Sequence, residues 1–488
     1  MSNRRQFLSF AALGLASSSA LADSLTYQAF HHALDSNAQL TAYADHTGDV
    51  SGQATVLGRL PADLNGVFYR NGPGRFELGG ERYHHWFDGD GFAQRWQIGD
   101  GKVSHIGRFV ATQKFEEESK AGRFLYPAFG THIDRKGVKN NDTVNVANTN
   151  LLPFNGRVYA LWEGGSATEV DPQTLATRGL KTWRSDLKAM PFSAHPKMDP
   201  DGGLWNFGTA PGANQLAIYR LNAAGEVTRN AMIEVPHLNM VHDFVVSGRH
   251  LIFLIAPYDL TSDADTSFAD RMHWNPQRPL RVVVVAKDTL ALRQVFELPA
   301  RSVFHLGNAY EDGACTRLDA VLHEGDALRK TGLPMRGQMR MVADNPASTV
   351  QITLDYASGQ AREARLFGVS EFPRVMPQVV SARHRKLLVL GASGRELILD
   401  SVNLLDTDSG KVDSYAFGAG WQVEEHVLVP RRGARSETDG YVVGVAQDTR
   451  RSQSVLTVFD AHNIKAGPMA LARLPYRAPV CFHGNFQA

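Results

Sequence analysis

Cysteine is nearly missing from this chain: Cys315 and Cys481 are the only two among 488 residues. That leaves room for at most one disulfide and for no zinc site built on paired thiolates, so any transition metal must be held by nitrogen or oxygen. A surplus of either charge is missing too. The 51 basic side chains balance 50 acidic ones, and no run of five basic residues occurs, so nucleic acid is a poor expectation for a partner. Beyond the N-terminus no apolar stretch approaches the ~18 residues that would span a bilayer. No G-x-S-x-G motif supports serine-based hydrolysis. Long helical periodicity is almost absent, and no linker rich in proline, glycine or serine divides the chain.

What is present begins with an export pattern. Asn3-Arg4-Arg5-Gln6-Phe7-Leu8 precedes an apolar run of small residues, Phe10 to Ala20, and then Ala20-Leu21-Ala22. A charged segment, an apolar segment and an A-x-A site in that order read as a signal peptide, and the paired arginines resemble the twin-arginine type that exports folded proteins. The expectation is a signal over residues 1–22 and a single domain over 23–488, working in the periplasm or outside the cell. A metal would then be loaded before transit.

Along the rest of the chain, short runs of β-branched and aromatic residues alternate with turns. Examples are Arg157 to Trp162, Leu251 to Ile255, Arg281 to Ala286, Lys386 to Leu390 and Gly440 to Val445. Asn155-Gly156, Asp201-Gly202, Ser409-Gly410 and Asp439-Gly440 supply turn residues that tolerate positive φ. A weak repeat of strand, Asp or Asn turn and returning strand recurs at Thr168–Leu175, Ile218–Val227, Val284–Leu292, Leu404–Val412 and Leu456–Met469. A period of roughly 50–65 residues over an all-β chain predicts a propeller of roughly seven blades, with a pair of β-sandwiches as the alternative. Phe115 to Asn140 is more polar and predicts a loop or helical cover.

Four of the 18 histidines sit in short apolar contexts beside expected strand ends. They are Ser193-Ala194-His195-Pro196, Met240-Val241-His242-Asp243, Val303-Phe304-His305-Leu306 and Cys481-Phe482-His483-Gly484. A buried imidazole must hydrogen-bond or bind a metal, because leaving it unsatisfied costs about 1–3 kcal/mol. Any one of them alone reads as a satisfied core histidine. Wide separation fits a propeller in which different blades each lend one side chain to the axis.

Together with other motifs in order, these contexts resemble the carotenoid cleavage oxygenases, the family of apocarotenoid and lignostilbene oxygenases and the retinoid isomerohydrolase of the eye. The motifs are Gly66-Val67-Phe68-Tyr69-Arg70-Asn71-Gly72-Pro73, His85-Trp86-Phe87-Asp88-Gly89-Asp90-Gly91, Ala147-Asn148-Thr149-Asn150 and Ala160-Leu161-Trp162-Glu163-Gly164. Asn308-Ala309-Tyr310-Glu311, Glu371-Phe372-Pro373-Arg374 and Glu425-His426-Val427-Leu428 follow. The resemblance implies an all-β, seven-bladed β-propeller with a loop or helix cap over an axial site. It implies one Fe(2+) per chain on His195, His242, His305 and His483, with Glu163, Glu371 and Glu425 accepting hydrogen bonds from the ligand rings. Glu425 departs from the family pattern in its surroundings, because Glu424 adjoins it and the family's following proline is His426 here. The implied reaction adds O2 across a C=C bond and yields two carbonyl products.

The stilbene-cleaving branch grips a phenol with a tyrosine and a lysine. Those positions fall on Phe109 and near Lys139-Asn140, and a phenylalanine has no hydroxyl to offer. The expectation is therefore a carotenoid or apocarotenoid substrate, with lignostilbene-type alkenes second. A substrate so lipophilic implies an apolar tunnel and peripheral contact with a membrane. Two other classes stay open: a metal-dependent isomerase or hydrolase using the same histidines, and a non-catalytic ligand-binding propeller. His84-His85 would point to opposite faces of a strand, and Asp88-Gly89-Asp90-Gly91 lacks the later ligands of a calcium loop, so both read as structural.

Overall fold

Short apolar strands separated by tight turns favour antiparallel meanders. The computed structural model, which describes residues 25–134, 137–263, 265–344 and 347–488, has seven such sheets set as the blades of a β-propeller. Five blades are four-stranded and consecutive in sequence, over 150–180, 197–234, 244–298, 302–367 and 370–416. The other two are five-stranded and are completed by strands from the opposite end of the chain. Gly66–Arg75 pairs with Asp90–Gly99 on one side and with His483–Gln487 on the other. Thr55–Gly58 adds an edge to the blade formed by Trp421–Pro430, Gly440–Asp448, Gln453–Asp460 and Ala470–Arg473. The two chain ends therefore close the ring together, and the two five-stranded blades are joined by more than one crossing of the chain.

The turn repeat visible in the sequence is the outer hairpin of five blades, joining each third strand to its fourth. The two copies that escape it are Asp100-Gly101, both at positive φ (51° and 71°), and the turn from Asp355 to Gln360. Inner and central strands are apolar on both faces because neighbouring blades pack on each. His250–Ile255 is buried throughout, whereas the outer strand Val412–Ala416 alternates between exposed and half-buried. Phe207, Phe244, Phe253 and Val283 fill one interblade core, and each such side chain contributes about 1.5–3 kcal/mol on burial.

The polar segment expected as cover starts with a helix, Gln113–Ala121, capped by the Thr112 side chain at its N-terminus and by left-handed Gly122 after its end. Its buried Lys114 and Glu118 pair at 2.7 Å. The following loop is pinned by Asp88, whose carboxylate accepts from Gly130 N and from Thr131 Oγ1, each at 2.7 Å. Asp88 is thus a structural turn residue. Cys315 and Cys481 are both free. Residues 1–22, read as a signal, lie outside the described residues. Among the described residues no helix is long and apolar enough to cross a membrane.

Two buried imidazoles away from the axis give the fold an acid-sensitive element. Burial pushes the His85 pKa down to about 4 and that of His105 to about 3. His85 Nδ1 accepts from Phe87 N at 3.1 Å, a bond that protonation would break. The unfolded chain, with ordinary histidines, binds more protons than the folded one below about pH 6.5, so stability falls as pH falls. The urea midpoint of the metal-free protein is expected to drop steadily from pH 6.5 toward 4, and His105→Gln to flatten that slope.

Candidate metal centre

Each of the seven blades sends one ionisable side chain toward the axis. His483, Glu163, His195, His242, His305, Glu371 and Glu425 come, in ring order, from successive blades or from the segments leading into their inner strands. The four histidines bring one ring nitrogen each to within 4.8 Å of the others. Nε2 of His242 stands 2.9 Å from that of His195 and 3.1 Å from that of His305, and His305 Nε2 is 3.3 Å from that of His483.

Regular strands would not aim these groups inward. Pairing slips between Val303 and Leu306, so His305 lies in a bulge; it slips again between Glu371 and Arg374 and between Val423 and His426. Bulges re-aim side chains, and here they turn His305, Glu371 and Glu425 onto the axis. Phe372, next to Glu371, has φ of 58°, uncommon for a bulky residue, and its ring lies 4.8 Å from that of His305. His195 is set from the neighbouring blade, where Asn150 Nδ2 donates to Ala194 O at 2.8 Å.

Three rings donate their Nδ1–H outward to carboxylates. His242 bonds Glu163, His305 bonds Glu371 Oε2 at 2.6 Å, and His483 bonds Glu425 Oε1 at 3.1 Å. His195 has no such bond; the nearest carboxylate oxygen, Asp243 Oδ1, is 3.7 Å away. Glu424 faces elsewhere, pairing with Arg70 at 3.2 Å and accepting from Cys481 N at 2.8 Å, so Glu425 is the residue at the site. Although burial raises them, the nearby His305 and His323 hold the Glu371 carboxyl well below the usual range, and Arg374 and His483 do the same for Glu425. Burial keeps His483 neutral, down to about 3, and pushes His195 well below its ordinary value.

Four residues that the sequence reading passed over complete the arrangement. His323 Nε2 donates to Glu371 Oε1 at 2.6 Å and Arg374 Nε donates to Glu425 Oε1 at 2.9 Å. Asp243 accepts from Leu306 N at 2.9 Å and pairs with Lys197 at 2.7 Å, tying the His242 segment to the His305 strand. Arg374 and Asp243 lie within quoted motifs, whereas His323 reaches the site only through strand pairing opposite Ser302. Phe87, Trp162, Phe304, Phe372 and Phe482 wall the cavity holding His242, His305 and His483; each lies in a quoted motif.

The structure places Phe109, the expected substrate position, away from this cavity. Its ring packs on Phe115 at 5.0 Å and on Phe92 at 4.9 Å, and neither Phe109 nor Lys139 borders this cavity.

A family model described as retinal pigment epithelial membrane protein matches residues 43–488. The chain belongs to the carotenoid cleavage oxygenase family. Among this family's curated members it is similar to the apocarotenoid-15,15'-oxygenase of Synechocystis, 29% identical over 88% of this chain and 92% of that one. It is also similar to the isoeugenol monooxygenase of Pseudomonas nitroreducens, 28% identical over 88% and 93%. The lignostilbene-alpha,beta-dioxygenase isozyme III of Sphingomonas paucimobilis is 28% identical over 88% and 92%. A cobalt-substituted form of the Synechocystis apocarotenoid oxygenase superposes with a TM-score of 0.83 at 27% identity, covering 92% of this chain and 99% of that one.

The family member described here has a donor set that fits a divalent ion. Nitrogens each about 2.1 Å from one ion stand about 3.0 Å apart across a right angle, close to the three spacings above. The charges fit as well. Lys197 pairs with Asp243 and Arg374 with Glu425, so Glu163 and Glu371 are the carboxylates that face the histidines without a lysine or arginine ion pair among the described residues. Replacing Glu371 with glutamine is expected to lower activity about 10–100-fold without emptying the site, checked by turnover alongside metal content.

Proposed function

We propose that this protein is an iron(II)-dependent oxygenase that uses O2 to cleave a C=C bond of a carotenoid or apocarotenoid. The observation that carries this is the convergence of four Nε2 atoms, three of them backed through Nδ1 by carboxylates. All-nitrogen ligation suits iron(II) and leaves coordination positions open. Iron bound there supplies the redox chemistry that makes O2 reactive toward an alkene.

The chain's own residues do the rest. Glu163, Glu371 and Glu425 hold the protons on Nδ1, so that each Nε2 lone pair points to the axis. His323 and Arg374 fix two of those carboxylates in turn. Phe87, Phe304, Phe372 and Phe482 keep water from the cavity and offer faces on which a conjugated chain can lie. A second cavity shares Phe87, Phe129, Trp162 and Glu163 with the first and continues past Met190, Pro191, Met240 and Phe268. Two apolar chambers meeting beside the histidines suit a long polyene reaching past the site on both sides.

Cleavage of a phenylpropanoid or stilbene alkene is the second reading, favoured by the isoeugenol and lignostilbene relatives at nearly the same identity. The deciding experiment is iron content of anaerobically purified protein, with O2 uptake on an apocarotenal and on a hydroxystilbene in parallel. The expected result is about one iron per chain and uptake on the apocarotenal. Uptake on the stilbene alone would move the substrate to the second class. Turnover without O2 consumption would mean an isomerase or hydrolase, and absence of iron after reconstitution a ligand-binding propeller. The same proposal sets the protein in the periplasm or outside the cell, taking its substrate from a membrane surface. It is supported by Arg4-Arg5 and the apolar run after them, and an exported form beginning at Asp23 would be its signature in a mass measurement.

A further inference from the structure

The cavity that holds the histidines is mostly aromatic and aliphatic, yet one stretch of its wall is polar in a way alkene cleavage does not call for. Arg340, Tyr43, Trp86 and Gln422 all border it. They belong to one continuous stretch. Leu397 N donates to Arg340 O and Val423 N to Leu399 O, each at 2.6 Å, and Gln422 adjoins Val423. The rings of Tyr43 and Trp86 lie 5.1 Å apart.

Buried polar atoms nearly always have partners. Here Arg340 Nη1, Trp86 Nε1 and Gln422 Oε1 are all buried without one. Arg340 forms no ion pair among the described residues, in contrast to Arg70 and Arg374, which each have a glutamate within the same protein core. Burial pulls the Arg340 pKa below its ordinary value, and the neighbouring Tyr43 and Glu371 only partly oppose this. A guanidinium does not give up its proton in a protein, so the wall carries a positive charge that no carboxylate pairs with directly among the described residues, although Glu371 and Glu424 border the same cavity.

We propose that this wall binds a carboxylate at one end of the substrate, so that the alkene cleaved is a polyenoic acid rather than a neutral polyene, alcohol or aldehyde. This rests on the cleavage reading above and names the substrate class. A carboxylate fits the fork of a guanidinium through two parallel hydrogen bonds and cancels its charge. The Trp86 indole can only donate, and Tyr43, whose phenol burial pushes up to about 12, stays protonated and can donate as well. The Gln422 amide presents a donor when its oxygen and nitrogen exchange places. A hydrocarbon or aldehyde end would leave the guanidinium without a directly paired counter-charge. Anchoring one end also fixes which double bond of a polyene lies beside the histidines.

The test is anaerobic binding to the iron-loaded protein, followed by quenching of tryptophan fluorescence. The ligands are an apocarotenoic acid and the methyl ester and aldehyde of the same polyene length. The acid is expected to bind about 10–100-fold more tightly than the other two. Arg340→Met should erase that preference with little loss of ester binding, and Arg340→Lys should restore part of it. In aerobic turnover, Arg340→Met should raise KM for the acid and leave kcat nearly unchanged. Gln422→Leu gives a second, milder reading of the same wall should Arg340→Met fold poorly. Equal binding of all three ligands, or a preference that survives Arg340→Met, would overturn the carboxylate site and leave the cleavage reading standing. If none of the three bound or was cleaved, both would fall.

Discussion

Alanine in place of His242 is expected to remove metal and activity together while the propeller stays folded. His242 stands between two of the other axial histidines. Its Nε2 stands within 3.1 Å of two other imidazoles and its Nδ1 is bonded to Glu163. Removing it takes away a donor and leaves Glu163 without its partner, and three nitrogens remain from a set arranged for four. The residue precedes the strand Phe244–Val246 and fills no interblade core, so the loss should not open the ring. Metal analysis should fall to background and O2 uptake should vanish, while circular dichroism and the urea midpoint of the metal-free protein stay close to wild type. Full activity in this variant would remove the histidine cluster from the mechanism.

The largest effect on stability is expected at Arg70. Its side chain is fully buried, with Nη1 donating to Glu425 O at 2.6 Å and Nη2 3.2 Å from Glu424. It sits on Gly66–Arg75, the strand that receives His483–Gln487 and closes the ring. Arg70→Leu leaves Glu424 buried with its hydrogen bonds from Cys481 N and Gln447 Nε2 but without its ion-pair partner, a change that typically costs about 3–5 kcal/mol. The double variant Arg70→Leu, Glu424→Leu should recover much of that loss, because an apolar pair of suitable size can replace a buried ion pair. Urea unfolding of the wild type, the two single variants and the double variant gives the coupling directly. A loss below about 1 kcal/mol for Arg70→Leu would mean that water reaches the pair.

Much of this was legible in the residues. The turn repeat marked the outer hairpins because Asp, Asn and Gly are needed there whatever the blade contains. The histidines and glutamates stood out through their motifs, which are dense because each also carries packing residues. In Asn71-Gly72-Pro73, for example, Asn71 Nδ2 donates to Ala147 O at 2.7 Å, and a Cβ on Gly72 would lie 2.4 Å from Val480 O. What stayed hidden depends on partners distant in sequence. His323 looks like any strand histidine until the strand Cys315–His323 is paired with Ser302–Asp312, and Arg340 shows its isolation only once its surroundings are known. Phe109 misled for a related reason. A motif position carries over which strand a residue sits on, but the packing of Phe92 and Phe115 decides where its ring points.

Because every blade contributes a histidine or glutamate to the axial ring, an ion held there would be tied to the circumference of the whole molecule. Each group lies on an inner strand or on a short segment beside one, and the sheets that carry these segments are wedged between two others at the density of a solid. A misfit would be spread over seven joints, each too stiff to yield much. Size discrimination at the axis would therefore be set by the girth of the ring, and small volume changes in a remote interblade core, around Phe253 for instance, should register at the axis as altered metal preference.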